Sequence, residues 1–128
     1  MKVEISNGEL ADKVAILEVK LEKMRDMVKR SNVGHEYDLL RKALEAAGIA
    51  TDSEEFKALK EVNSRLWDIE DRIRLKERDK EFDDEFIELA RAVYLENDKR
   101  FEIKRRVNRR TGSQIIEEKE YVDYGNPE

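Results

Sequence analysis

The chain has 128 residues, of which 45 % are charged and 39 % hydrophobic, and its 31 acidic and 26 basic residues give a net charge of −5. This length fits one domain, so we expect residues 1–128 to form a single helical domain. The acidic balance argues against a general nucleic-acid binder, and the lack of cysteine excludes disulfides and thiolate chemistry. No apolar run reaches the roughly 18 residues that span a bilayer, and the first residues contain no signal-like apolar segment, so we expect a cytoplasmic protein.

The first predicted helix covers residues 6–30. Ser6 and Glu9 form a capping-box pattern at its start, in which the hydroxyl accepts a hydrogen bond from the backbone of Glu9. Apolar residues then recur at alternating spacings of four and three, which is typical of one face of a coiled-coil-like helix. These residues are Leu10, Val14, Leu17, Leu21, Met24 and Val28.

A break is predicted at Ser31 and Asn32, followed by a second helix over residues 33–47. Gly48 closes this helix, because glycine adopts the left-handed conformation that commonly ends helices. A connection this short predicts that the first two helices are antiparallel neighbours.

Two long helices follow, over residues 52–79 and 83–111. Asp83 is the predicted N-cap of the fourth helix and Gly112 its C-cap. The last segment, residues 113–128, is predicted to be an extended or partly ordered tail. The sequence therefore predicts an all-α fold, an antiparallel bundle of about four helices with a short C-terminal tail.

Several kinds of catalytic chemistry are excluded by composition. His35 is the only histidine, so a zinc site built from histidine and cysteine cannot form in one chain, and no glycine-rich phosphate loop is present. Glu85 and Glu88 supply half of a carboxylate magnesium motif, but a second half is missing. The sequence thus predicts neither a metal site nor a cofactor.

Polar residues lie on or beside the inner faces of the third and fourth helices, where they are costly unless paired. The candidate ligand-binding residues are Asn63, Glu70, Arg74, Arg91, Asn97, Asp98, Lys104 and Asn108. One interpretation is a buried polar network that fixes the register of the helices. The other is a pocket between helices that binds a small polar or anionic ligand, with Arg74, Arg91 and Lys104 as candidate anion contacts.

A basic run occupies the end of the fourth helix. Its arginines are Arg100, Arg105, Arg106, Arg109 and Arg110. They spread around most of the helix circumference, which favours a solvated helix end neutralised by the acidic tail. The alternative is a patch for phosphate, nucleic acid or an acidic partner.

The order of these residues resembles a bacterial and phage family known only as a domain of unknown function. The matching motifs are Ile5-Ser6-x-Gly8-Glu9-Leu10-x-Asp12-Lys13-Val14-x-Ile16-Leu17-Glu18, Val62-Asn63-x-x-Leu66-Trp67-x-Ile69-Glu70-Asp71-x-Ile73-Arg74, Phe86-Ile87-x-Leu89-Ala90-Arg91-x-Val93-Tyr94-x-x-Asn97-Asp98-x-Arg100, Ile103-Lys104-x-x-x-Asn108, and Gly112-Ser113 with Glu117-Glu118-Lys119-x-Tyr121. The resemblance implies a helical fold and a surface-glycan context, and it brings no catalytic residues. It also indicates twelve positions on which the fold or the function depends, namely Glu9, Asp12, Lys13, Asn63, Trp67, Glu70, Arg74, Arg91, Asn97, Asp98, Lys104 and Asn108.

Three hypotheses of function follow. The first is a non-enzymatic module that self-associates, as a dimer, or binds another partner. The second is a small enzyme or binding protein for a phosphorylated or nucleotide-sugar ligand, held by the polar cluster between helices. The third is binding of nucleic acid or an acidic partner through residues 99–110. Whether the protein is an enzyme stays open.

Overall fold

A computed structural model describes residues 1–125 and contains no strand among them. Its four helices are α1 (Asn7–Lys23), α2 (Met27–Ala46), α3 (Glu54–Arg78) and α4 (Asp84–Thr111). None of these helices is long and apolar enough to cross a membrane. The prediction of an all-α fold of four packed helices is confirmed.

The ends of α3 and α4 agree with the predicted bounds within two residues, because local capping sets them. The Ser53 hydroxyl accepts a hydrogen bond from the backbone of Phe56 at 3.3 Å, and Asp83 Oδ1 accepts one from the backbone of Phe86 at 3.0 Å. Gly112 ends α4 with a φ of 61°, in the left-handed region that favours glycine.

The break between α1 and α2 differs from the prediction. It lies at residues 24–26, not at Ser31 and Asn32, which are exposed inside α2. Asp26 caps α2 by accepting a hydrogen bond from the backbone of Lys29 at 2.9 Å. Aspartate caps a helix as well as serine or asparagine does, so local preference alone could not choose between the two positions.

A side chain from α2 stabilises this break. The Arg30 guanidinium donates to the Met24 carbonyl at 3.0 Å and also to the Leu21 carbonyl, two of the acceptors left unpaired where α1 ends. Val28, predicted to extend the apolar face of the first helix, is instead an exposed residue in the first turn of α2.

Helix α1 is the centre of the bundle. It packs against all three other helices, whereas α2 approaches only α1. Contacts of α1 with α4 descend along α4 as they ascend along α1, from Gly8 with Asn108 to Asp12 with Arg100, so these helices are antiparallel. The core consists of Ala11, Val14, Ala15, Leu44, Ile49, Phe56, Leu59, Val62, Ile103 and Val107.

The α3–α4 hairpin extends beyond the part that α1 covers. We call residues 69–96 of this hairpin the arm; within it only Leu89 is buried. Large apolar side chains of the arm are exposed instead, namely Leu75, Phe82, Ile87, Tyr94 and Leu95. The arm is therefore a pair of helices without a third helix to cover its apolar faces.

The C-terminal segment, residues 113–125, contains neither helix nor strand and lies along α4. The part of the predicted tail that comprises residues 126–128 lies outside the described residues. The expectation of a single domain over residues 1–128 stays a prediction.

Candidate functional site

The predicted site residues fall into three groups, because α1 crosses only part of the polar face of the α3–α4 hairpin. Asn63, Lys104 and Asn108 lie beneath α1. A second group lines an open groove beyond α1, and a third lies on the outer face of α4. The first two groups adjoin, since Asn63 and Arg100 also line the groove and Asn97 accepts a hydrogen bond from Arg100.

The centre of the first group is Asp12, whose side chain is fully buried (0 % exposed). Its carboxylate accepts hydrogen bonds from Asn63 Nδ2 at 2.8 Å and from Arg100 Nε at 3.0 Å, and Arg100 Nη2 lies 2.9 Å away. Arg100 Nη1 also donates to Asn97 Oδ1 at 3.3 Å. A buried carboxylate is tolerated only when it is paired and hydrogen-bonded in this way. This geometry favours the interpretation of a register-fixing network for these residues.

Lys104 links α1 to the C-terminal segment. Its side chain is only 6 % exposed, and Nζ lies 2.5 Å from Glu9 and 2.8 Å from Glu117. Burial works to lower the pKa of Lys104, but the ion pairs with Glu117 and Glu9 outweigh burial and hold that pKa above its usual value. The same ion pair holds the pKa of Glu117 below its usual value. Lys104 is thus a paired structural cation.

Gly8 and Asn108 mark the closest approach of α1 to α4. The backbone N–H of Gly8 donates to Asn108 Oδ1 at 2.6 Å. A Cβ at position 8 would overlap the backbone carbonyl of Lys104 and would lie 2.9 Å from Asn108 Oδ1. Only glycine fits here, which gives a physical reason for the Gly8 of the first motif.

The second group lines a groove of about 470 Å³ between α1, α3 and α4. Asn63, Glu70, Arg74 and Asn97 from the predicted ligand-binding set line it, together with Arg100 and the half-buried Trp67. Arg74 donates to the Glu70 carboxylate one helical turn away, so this charge is already paired. Lys20, which the sequence did not single out, also lines the groove, and its side chain makes no hydrogen bond or ion pair with residues 1–125.

The third group, Arg91 and Asp98, lies on the outer face of α4. The Tyr124 hydroxyl donates a hydrogen bond to Asp98, and the ring of Tyr124 packs edge-on against Tyr94 with centroids 5.3 Å apart. This hydrogen bond raises the pKa of Tyr124. The Arg91 guanidinium, in contrast, makes no hydrogen bond or ion pair within the described part of the chain.

The basic run does not form one patch. Arg100 is held by Asp12, Arg110 Nε donates to Glu55 at 2.7 Å, and Arg105 lies 3.9 Å from a Glu102 oxygen. Arg106 and Arg109 are exposed on α4. Because its members point in several directions and three of them have acidic partners, this geometry favours the solvated helix end over a phosphate-binding patch.

Carboxylates of the arm are engaged by basic side chains. Glu85, which together with Glu88 supplies half of a magnesium motif, lies 3.3 Å from Arg72 and 3.5 Å from Lys76. Among residues 1–125, no group of three or more histidine, cysteine, aspartate or glutamate side chains is placed to hold a metal ion. His35 is exposed on α2.

Similarity to known proteins is found at the level of a protein family. No curated protein and no solved structure matches the chain. A family model described as a family of unknown function (DUF6165) matches residues 1–126 and thus includes all four helices and the three groups of candidate residues. The chain therefore belongs to this family of unknown function, DUF6165.

Proposed function

We propose that the protein is a non-enzymatic module that self-associates as a dimer through the α3–α4 arm. The observation that carries this proposal is the set of large apolar side chains that the arm leaves exposed, among them Ile87, which is 53 % exposed. Two helices cannot cover each other's apolar surface on all sides, and hairpins of this kind bury it by packing into a bundle of four helices. A second copy of the arm supplies the two missing helices.

The charge distribution of α4 supports a second copy as the partner. Residues 84–98 contain five acidic residues and one basic residue, whereas residues 99–111 contain seven basic residues and one acidic residue. Two α4 helices that pack antiparallel bring unlike halves together, and such complementarity favours association in one orientation. A two-fold arrangement of identical surfaces is the commonest form of dimer. For the setting of this dimer we propose the cytoplasm of a bacterium or phage-infected cell, in the glycan context that the resemblance implies.

Sedimentation velocity from micromolar to submillimolar concentrations tests this function. The wild-type chain is expected to shift from monomer to dimer, and Ile87→Glu is expected to raise the dimer Kd at least about tenfold, because it buries a charge in the interface. Leu39→Glu is the matched control, since Leu39 is 56 % exposed on α2, away from the arm. A wild-type chain that stays monomeric throughout, or an equal effect of both variants, would contradict the proposal.

A second candidate function rests on the groove between α1, α3 and α4. Its volume is within the range of small-molecule sites, roughly 300–1,000 Å³. It combines an indole wall with the ammonium group of Lys20, which has no partner among residues 1–125. We propose that it binds a phosphorylated ligand with a planar ring. Trp67 is the only tryptophan, so its fluorescence reports on the groove directly.

The groove is tested with a nucleoside diphosphate sugar against the uncharged nucleoside. Saturable quenching of Trp67 by the first compound alone, lost in Lys20→Ala and retained in Lys29→Ala on α2, is the expected result. No quenching, or quenching that survives in Lys20→Ala, would remove this candidate.

A further inference from the structure

One face of α4 carries seven residues at alternating spacings of three and four. We call them the outer stripe: Asp84, Ile87, Arg91, Tyr94, Asp98, Phe101 and Arg105. Such spacing places side chains on a single face of a helix. Neither α1 nor α2 covers this face, since Ile87 is more than half exposed and Tyr94 is 44 % exposed.

The order of side chains along the outer stripe is self-complementary. From Asp84 to Arg105 the order is acid, apolar, base, aromatic, acid, aromatic, base. When a second copy is aligned in the opposite direction, each acid lies opposite a base and Ile87 lies opposite Phe101. Parallel alignment would instead place each charge against its own copy, which costs free energy. The pattern therefore distinguishes between the two directions of pairing.

We infer that two copies of this chain pair antiparallel along the outer stripe, about a two-fold axis at Tyr94; this inference rests on the proposed self-association and adds its interface. In this register Arg91 meets Asp98 of the second copy, and Asp84 meets its Arg105. With a helix rise of about 1.5 Å per residue, Arg91 and Asp98 lie about 4.5 and 6 Å from the axis along the helix. Asp84 and Arg105 lie about 15 and 16.5 Å away, so both pairs are matched within about 1.5 Å.

The contacts of the single chain agree with this pairing. The Arg91 guanidinium makes no hydrogen bond or ion pair with residues 1–125, so its charge is available to a second copy. Asp98 has only a neutral partner in the hydrogen bonds and ion pairs of the same residues, the Tyr124 hydroxyl. A carboxylate interacts more strongly with an arginine than with a phenol, so exchange of partners at Asp98 is favourable.

The C-terminal segment occupies part of the outer stripe and must leave Asp98 when the second copy binds. Tyr124 packs on Tyr94, and Lys119 Nζ lies 5.0 Å from the centre of the Phe101 ring. A groove of about 860 Å³ remains between this segment and α4. Tyr121 and Val122 are largely exposed and contribute little apolar burial to holding the segment in place. The segment is thus a weak competitor for the same surface.

Charge exchange tests the pairing by sedimentation. Arg91→Asp and Asp98→Arg each place like charges in contact twice in the dimer, and each is expected to raise the dimer Kd at least about tenfold. The double variant restores unlike pairs and is expected to return the Kd to within about threefold of wild type. Arg78→Asp, on the exposed surface of α3 in the same arm, is the matched control and is expected to leave the Kd unchanged.

Oxidative cross-linking provides an independent test, because the chain contains no cysteine. Tyr94→Cys places a thiol at the two-fold axis and is expected to give a disulfide-linked dimer, whereas Leu75→Cys on α3 is not. If the wild type dimerises but the double variant is not rescued, or if both cysteine variants cross-link equally, the pairing is wrong and the proposed function stands. If the wild type never dimerises and Tyr94→Cys does not cross-link, both are wrong.

Discussion

Replacement of a single glycine is expected to have opposite effects at two positions of this fold. At position 8, an added Cβ would overlap the carbonyl of Lys104, an atom of the α4 backbone that cannot rotate away. At position 34, in the interior of α2, an added Cβ has no neighbour within 4 Å. Gly8→Ala therefore tests the close approach of α1 to α4, and Gly34→Ala measures the effect of the same substitution without that approach.

The expected changes in the free energy of unfolding follow from the surroundings of each glycine. Overpacking costs about 1–3 kcal/mol, and separation of the helices would also weaken the hydrogen bond from Gly8 to Asn108, which contributes about 1 kcal/mol. Higher helix propensity of alanine offsets up to about 1 kcal/mol of this loss. We expect Gly8→Ala to lower the free energy of unfolding by about 1–3 kcal/mol, a large part of a total of about 5–15 kcal/mol. Gly34→Ala is expected to raise it by about 0.5–1 kcal/mol.

Urea unfolding followed by far-ultraviolet circular dichroism measures both effects. The comparison requires one protein concentration, since dimerisation would shift the midpoint, and equal slopes of free energy against urea. A Gly8→Ala variant as stable as Gly34→Ala would refute the reasoning, because it would mean that α1 and α4 have room for a methyl group at their crossing.

Three further predictions concern the buried network and the C-terminal segment. Asp12→Ala is expected to lower the free energy of unfolding, measured in urea, by about 3 kcal/mol. This value is at the lower end of the range for breaking a buried ion pair, because the guanidinium of Arg100 can reach water. Tyr124→Phe removes the hydroxyl bound to Asp98 and is expected to lower the dimer Kd by about threefold in sedimentation; an unchanged Kd would show that the segment does not compete. Lys104 lowers the pKa of Glu117 below the ordinary 4.5. The ion pair therefore contributes fully to the free energy of unfolding above pH 4.5, and its contribution is lost as pH falls through the lowered pKa. Glu117→Gln should accordingly reduce the acid-induced loss of stability, and an unchanged acid transition would contradict this.

Features set by neighbouring residues could be predicted from the sequence. Ser6 accepts from the backbone of Glu9 at 3.1 Å as the capping box predicts, and Gly48 takes a φ of 77° just after α2. The first break could not be placed, because Asp26 and the pair Ser31 and Asn32 are equivalent caps in local terms. Only the contacts of Arg30 with the end of α1 distinguish the two positions.

The division of the polar face could not be predicted, because it depends on where a distant helix crosses it. In the sequence, Asn63 and Arg74 are equivalent members of one series on α3. Asp12 accepts a hydrogen bond from Asn63 but lies too early in α1 to reach Arg74. Its spacing from the small residues Gly8, Ala11 and Ala15, which puts it on their face of α1, was the available signal, since a charge on a buried face must have a partner.

Asp12 and Asp98 explain why the outer face of α4, and not its inner face, serves as the proposed interface. Asp12 is satisfied inside the chain by an arginine and an amide, and any partner that displaced them would leave a buried charge unpaired. Asp98 is exposed and bound by a phenol from a segment that α4 could release at small cost. Association through the inner face would require α1 to leave, with the core it carries. Association through the outer stripe requires that the Tyr124 hydrogen bond, its ring contact with Tyr94 and the contact of Lys119 with Phe101 be exchanged for ion pairs and further apolar burial.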